Sequence, residues 1–307
     1  MKIFSTTLNQ MLVLFAFMAI GYFLNKKKLI SDNASKVLSR LETYLLLPCI
    51  NFRTFYNNCT KDNLVAKSKY ILYGLIVLII TFVISLLISR LFTKENYLRN
   101  VYVYSFTIPN LGFMGNALVL ALFGDSVLFD YMIFYLPFTI FIYTYGIYSL
   151  VPKEQGSGFS FKTLLTPPMI AMLVGAAFGL LEIKLPSFLT DVISSGASCM
   201  SPIAMLIAGF VVGNYSLKKL ASDYKLYIAS LIRLVIIPVL VVLALKLIGT
   251  DGGIVMVTLC ALSLPFGLNT VVFPEAYGGD ATPGAGMALI SHLMALVTIP
   301  LIYAVFM

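Results

Sequence analysis

Two clusters in this 307-residue chain combine helix-breaking residues with uncharged amides inside runs that are otherwise apolar. The first lies in SFTIPNLGFMGNALVLALFGD, residues 105–125, and comprises Pro109, Asn110, Gly112, Gly115 and Asn116. The second lies in ALSLPFGLNTVVFPEAYGGD, residues 261–280, and comprises Pro265, Gly267 and Asn269. Pro removes a helical donor and clashes with the preceding turn, and Gly costs a helix about 1 kcal/mol relative to Ala. A helix restarting after such a break presents free N–H groups and a positive dipole end, which suit an anion such as a carboxylate. The Asn amides add hydrogen bonds to a carboxylate or to a cation's shell without adding charge. Neither cluster contains a nucleophile, a general base or a set of metal ligands.

Composition sets where these clusters must sit. Hydrophobic residues make up 60% of the chain and charged ones 11%, with a mean hydropathy of +0.95, whereas charged residues supply about a quarter of soluble domains. A membrane span needs roughly 20 mostly apolar residues. Windows of that length predict an all-α integral membrane protein with spans near residues 7–25, 35–56, 68–92, 98–123, 128–151, 167–182, 190–214, 225–249, 254–276 and 284–306. The loops left over are too short for a soluble catalytic domain. Lys2 before an apolar run imitates a signal peptide, but no A-x-A site follows and NKKK at 25–28 closes the run like a stop-transfer flank, so it is read as the first span.

Lys and Arg in the loops predict the orientation. With the N-terminus outside, Lys26, Lys27, Lys28, Lys36, Arg40, Arg90, Lys94, Arg99, Lys153, Lys162, Lys218, Lys219 and Lys225 fall on the cytoplasmic side, against Lys2, Arg53, Lys61, Lys67, Lys69, Lys184 and Lys246 opposite. Both termini are therefore expected to be extracytoplasmic, in a multi-pass protein of the cell membrane. The net charge of +8 then reflects topology and anionic lipid, and nothing points to nucleic acid. Cys49, Cys199 and Cys260 fall in expected spans and Cys59 in an outer loop, without metal or redox spacing, so they read as small core residues with no disulfide.

The chain also repeats itself. Gly21 and Gly175, Pro48 and Pro202, Pro109 and Pro265, and Asp125 and Asp280 are separated by 154, 154, 156 and 155 residues. Residues 1–151 and 163–307 thus read as two five-helix repeats, joined by a polar linker at 152–162. An odd number of spans per repeat makes the second inverted relative to the first. The fourth and ninth spans then become matched discontinuous helices crossing near the midplane, where broken backbone is tolerated only inside protein or along a cavity. That pairing is the pattern of a transport site, and it is set against a plain structural kink.

The stretches TIPNLGFMGNALVLALFGD, SPIAMLIAGFVVG and LSLPFGLNTVVFPEAYGGDATPGAGMALISHLMALVTIPLIYAV resemble the auxin efflux carrier family, which includes plant auxin exporters and bacterial malate or malonate permeases. The resemblance implies ten helices in two inverted repeats, similar to bile acid sodium symporters, with a scaffold and a crossover-containing transport domain that moves like an elevator. It carries the crossover prolines to Pro109 and Pro265 and the following amide to Asn110. The chain departs from the pattern at Gly115, Asn116, Ala117 and Leu118, where members often read G-x-P-L, and at Pro168, where plant carriers tend to have a substrate-contacting Asn. These departures count against auxin as the cargo.

Two further polar residues lie inside expected spans. Arg233 either meets the cargo or reaches back to the inner surface, and His292, the single histidine, either relays protons or packs as a hydrogen-bonded core residue. Asp125, Asp130, Glu275 and Asp280 sit near span ends and are expected to be solvated. The residues favour a secondary carrier of a small organic anion, with a proton or sodium as a coupling ion left open, as is a homodimer. No cofactor is expected, lipids are the surrounding partner, and an enzyme is disfavoured by the lack of clustered His, Asp, Glu or Cys. The alternative is a receptor that uses a carrier fold to bind a small molecule.

Overall fold

The computed structural model describes residues 2–31, 33–151, 165–276 and 279–307. The linker expected at 152–162 lies outside them. Among the described residues the chain is helical, and the one extended pairing is an isolated bridge between Pro109 and Phe266. Six helical stretches are long and apolar enough to cross a membrane: Ile3–Lys26, Lys61–Phe92, Leu111–Leu150, Ser187–Gly213, Tyr224–Leu247 and Thr282–Phe306. Pro167–Leu180 and Gly252–Leu262 are shorter apolar helices.

In chain order the helices are α1 (Lys2–Lys26), α2 (Ala34–Leu41), α3 (Leu47–Asn58), α4 (Lys61–Phe92), α5 (Asn96–Thr107), α6 (Asn116–Phe141), α7 (Ile147–Leu150), α8 (Pro167–Leu180), α9 (Ser187–Gly213), α10 (Leu217–Ala221), α11 (Tyr224–Leu231), α12 (Ile237–Leu247), α13 (Gly252–Leu262), α14 (Asn269–Ala276) and α15 (Thr282–Phe306). Single π-turns at Glu42–Leu46, Leu111–Gly115, Ile142–Gly146 and Ile232–Ile236 interrupt the regular helix. Such turns displace side chains from the α-helical register and recur at functional sites. Gly124 takes φ +82°, ψ −177° inside α6, so the Leu111–Leu150 stretch is really two helices meeting at a bend that a residue with a Cβ would resist.

Local chemistry fixes several starts. Thr60 accepts from Asn63 N–H at 3.2 Å to cap α4, and Asp251 accepts from Gly253 N–H at 2.9 Å to cap α13. Tertiary packing uses small residues where apolar area alone gives no drive within lipid. A Cβ on Gly21 of α1 would run into the backbone of Leu206 in α9, and one on Gly175 of α8 would lie 2.6 Å from the carbonyl oxygen of Phe52 in α3. The two glycines that mark the sequence repeat are thus contact points of two helix pairs, α1 with α9 and α8 with α3. Along α4 a row including Leu72, Leu75, Ile79, Val83 and Leu87 stays exposed, an apolar face suited to lipid.

Asp280 is exposed as expected, whereas two other aspartates differ from the solvated expectation. Asp130 is buried and pairs with Lys67 at 2.6 Å. Asp125 receives Arg53, Thr54, Asn57 and Asn58 at 3.0–3.3 Å. The end of α3 and the start of α4 lie close to these carboxylates and supply the donors. Cys59 follows α3 in the connection to α4 and is buried as a small core residue, whereas Cys199, within its expected span on α9, is exposed rather than in the core.

Candidate binding site

α5 stops at Thr107 because Pro109 cannot donate and forces the residue before it out of helix; Ile108 is extended at φ −108°, ψ 108°. The chain resumes helix after Asn110 through the π-turn Leu111–Gly115. The second segment repeats the arrangement, with α13 ending at Leu262 and α14 starting at Asn269. The two breaks satisfy each other's backbone groups. Asn110 N–H donates to Pro265 O at 2.9 Å, and Gly267 N–H donates to Ile108 O at 3.3 Å. Phe266 N–H donates to Ser291 Oγ on α15 at 3.1 Å. Gly267 leaves little room for a side chain, since a Cβ would sit 3.2 Å from the carbonyl oxygens of both Ile108 and Pro109.

Beside this junction opens a cavity of about 580 Å³, the size of a small-molecule site. Of the residues expected to bind, Pro109, Asn110, Gly112, Asn116, Gly267 and Asn269 line it. Gly115 and Pro265 lie behind: Gly115 admits the Tyr131 hydroxyl, which donates to Leu111 O at 3.1 Å, and Pro265 supplies the carbonyl for Asn110. A Cβ on Gly112 would meet nothing within 4 Å. Lining residues that spacing alone does not reveal include Asn51, Tyr135, Tyr143 and Pro168. Three of the π-turns contribute to the wall, through Thr43 and Tyr44, through Gly112 and Phe113, and through Ile142 and Tyr143. The charged residue among the described lining residues is Arg40, and no carboxylate is among them.

The amides are half committed. Asn51 Nδ2 donates to Pro168 O at 3.0 Å, so an amide stands beside the position that Pro168 occupies. Tyr135 donates to Asn116 Oδ1 at 3.3 Å, and Asn269 Nδ2 donates to the Tyr104 hydroxyl at 3.0 Å. Buried and without a partner among the described residues are Asn51 Oδ1, Asn110 Oδ1 and Asn116 Nδ2. Buried polar groups ordinarily find hydrogen bonds, so three such ends around one cavity mark a place for polar contacts that the protein itself does not supply.

His292 and Arg233 do not line the cavity. His292 Nδ1 is 2.7 Å from Ala288 O, and its Nε2 is 3.0 Å from Asn110 Nδ2. Arg233 sits in the π-turn Ile232–Ile236, fully buried, with no partner among the described residues for any of its three guanidinium nitrogens; it is packed inside rather than reaching back to the surface. It lies near Tyr131. Glu42, within the expected second span, is also fully buried with both carboxylate oxygens unpartnered. The residue is a charge inside an apolar window, which is the signal that singles it out.

Membrane-length helices thus surround a mostly apolar cavity that carries four asparagines at a helix junction, an architecture suited to a membrane transport protein. The family model described as membrane transport protein matches residues 6–160 and 156–303. The chain belongs to that family, the auxin efflux carrier family. It is 23% identical over 309 residues to the uncharacterized transporter MJ1031 of Methanocaldococcus jannaschii, covering 96% of this chain and 97% of that one. It is 20% identical over 308 residues to the uncharacterized transporter YfdV of Escherichia coli K12, covering 96% of each chain.

Proposed function

We propose that this transporter is a secondary carrier that moves a small organic anion, a mono- or dicarboxylate, by alternating access of the cavity at the crossing of two broken helices. The observation that carries this reading is the backbone pairing of Asn110 with Pro265 and of Gly267 with Ile108 beside a cavity lined by four asparagines, by Arg40 and by no carboxylate among its described residues. Arg40 and the absence of a fixed negative charge among the described lining residues favour an anion there, with Asn116 Nδ2 as an uncommitted amide donor. Pro109, Asn110, Gly112, Asn116, Gly267 and Asn269 bound the cargo, with Gly115 and Pro265 shaping the wall behind.

The ten-span, inverted-repeat organisation belongs to the same proposal, with repeats at 1–151 and 163–307. It is supported by the reciprocal glycine contacts of α1 on α9 and α8 on α3 and by breaks at equivalent places in the two halves. These helix pairs form the scaffold, and the broken helices ride past it as an elevator. Both termini face away from the cytoplasm, and a reporter at Met307 that works only in the cytoplasm would reverse that orientation. The direct test of function is counterflow: proteoliposomes loaded with one unlabelled carboxylate should accumulate the labelled acid against its gradient. If no carboxylate is exchanged while a labelled cation or neutral solute is, the anion reading is wrong.

A further inference from the structure

A carbonyl oxygen only accepts hydrogen bonds, so His292 Nδ1, 2.7 Å from Ala288 O, must carry a proton. In the neutral ring Nε2 is then an acceptor, and Asn110 has to meet it with its NH2 group, at 3.0 Å. The tautomer thus dictates which way the Asn110 amide is turned. The end left over is the carbonyl oxygen Oδ1, buried and without a partner, although Asn110 borders the cavity. With His292 neutral, the end of the Asn110 amide left uncommitted is an acceptor, the wrong end for an anionic cargo.

We propose that His292 and Asn110 form a proton-dependent switch that couples uptake of one proton to binding of one anion, an inference that rests on the carrier reading above. A proton from solution adds to Nε2 and turns imidazole into imidazolium, with no other bond made or broken. Both ring nitrogens then donate. Asn110 must rotate its amide so that Oδ1 accepts from Nε2–H, and its NH2 group takes the place of Oδ1, able to donate to a carboxylate. Asn116 Nδ2, also buried and without a partner, provides a second donor on the same wall.

The surroundings make the two events mutually dependent. No acidic side chain lies within ion-pair distance of His292 among the described residues. In the interior, the elements packed on α15 bring Tyr104 from α5, whose hydroxyl takes the Asn269 amide, and Arg233 from the π-turn before α12. The remaining charged groups on these elements lie toward helix ends: Lys26 on α1, Arg99 on α5, Asp191 on α9, Lys218 on α10, Lys225 on α11 and, in sequence, Lys2 on α1, Lys219 on α10 and Glu275 on α14. Arg233 is a second buried basic group, with no hydrogen-bond partner among the described residues. A second cation on His292 is disfavoured until an anion arrives, and the anion gains its donor only when the proton does. Such coupling is reciprocal.

The test uses the full chain in detergent or nanodiscs with labelled acetate, malonate and malate as probes, between about pH 6 and 8, above the ordinary carboxylate range. Affinity for a bound acid should strengthen as pH falls, approaching about tenfold per pH unit where one proton accompanies each anion. Titration calorimetry of the wild-type protein in buffers of different ionisation enthalpy should show up to one proton taken up per anion bound. His292→Gln, whose amide pairs with Asn110 but does not titrate, should bind with no proton uptake and little pH dependence. Binding without proton uptake in the wild type would overturn the switch and leave the carrier standing. Undiminished uptake in His292→Gln would also overturn it, and would place the proton elsewhere, with Glu42 next to examine. No binding of any probe at any pH would count against the anion reading itself and remove the switch with it.

Discussion

Gly112 and Gly267 border the same cavity, yet an added methyl group should affect them in opposite ways. At Gly267 the new Cβ would lie 3.2 Å from both Ile108 O and Pro109 O and 3.5 Å from Pro109 C. All three are backbone atoms, so no side chain can swing aside. Relief needs a shift of a few tenths of an ångström, and the Gly267 N–H to Ile108 O bond, already 3.3 Å long, would pass beyond hydrogen-bonding range. Losing that bond inside the protein costs about 0.5–1.5 kcal/mol, and residual crowding brings Gly267→Ala to about 1–3 kcal/mol. At Gly112 the Cβ meets nothing within 4 Å, and Ala improves helix propensity by up to about 1 kcal/mol. Thermal unfolding in detergent, followed by loss of monodisperse protein, should rank Gly112→Ala at or above wild type and Gly267→Ala several degrees below. An unaffected Gly267→Ala, or a Gly112→Ala variant that is the less stable of the two, would refute the close backbone crossing on which the site is built.

Asn116→Ala should cost about 0.5–1.5 kcal/mol of stability through loss of the Tyr135 bond to Oδ1, while weakening binding of a carboxylate met by Nδ2 by about 1.5–3 kcal/mol, or roughly ten- to more than a hundredfold; melting and equilibrium binding read the two separately. Asn269→Asp should bind the acid more weakly than Asn269→Ala in the same assay, since the new charge opposes the cargo unless it is protonated. Lys67→Met should destabilise by about 1–3 kcal/mol by stranding the buried Asp130 carboxylate; adding Asp130→Asn should recover part of that loss in a double-mutant melting series. Asp251, outside the apolar segments, has its carboxyl held below the usual range by the Gly253 N–H and by Lys69. Its folded-state value being depressed, its contribution to α13 is present at neutral pH and fades as pH falls through that lowered value, so Asp251→Asn should flatten the acid limb of the wild-type stability profile.

The helix breaks are legible in the sequence because their cause is local: Pro109 and Pro265 act on their own turns whatever surrounds them. That the two breaks meet is hinted at in the sequence only by a handful of landmarks spaced 154–156 residues apart, of which Gly21 and Gly175 act as close-packing points. The rest of the cavity wall is not written locally. Asn51, Tyr135 and Tyr143 are ordinary residues of apolar helices until π-turns and helix packing bring them beside Asn110. Asp125 and Asp130 read as solvated because their partners, Arg53, Asn58 and Lys67, come from α3 and α4 more than 60 residues earlier. Glu42 was there to be read, but a single carboxylate barely alters the mean hydropathy of a 20-residue window. The direction of Arg233 depends on the π-turn at Ile232–Ile236, which composition does not forecast.

The central claim is that an organic anion occupies the cavity at the crossing. Gly112→Cys, introduced where a side chain meets nothing within 4 Å and in a background with the four native cysteines replaced, places a thiol on the cavity wall. An anionic methanethiosulfonate reagent should modify it and stop counterflow, and the transported carboxylate should slow the modification at concentrations that saturate transport. Modification that is indifferent to the carboxylate, with counterflow intact afterwards, would contradict the account.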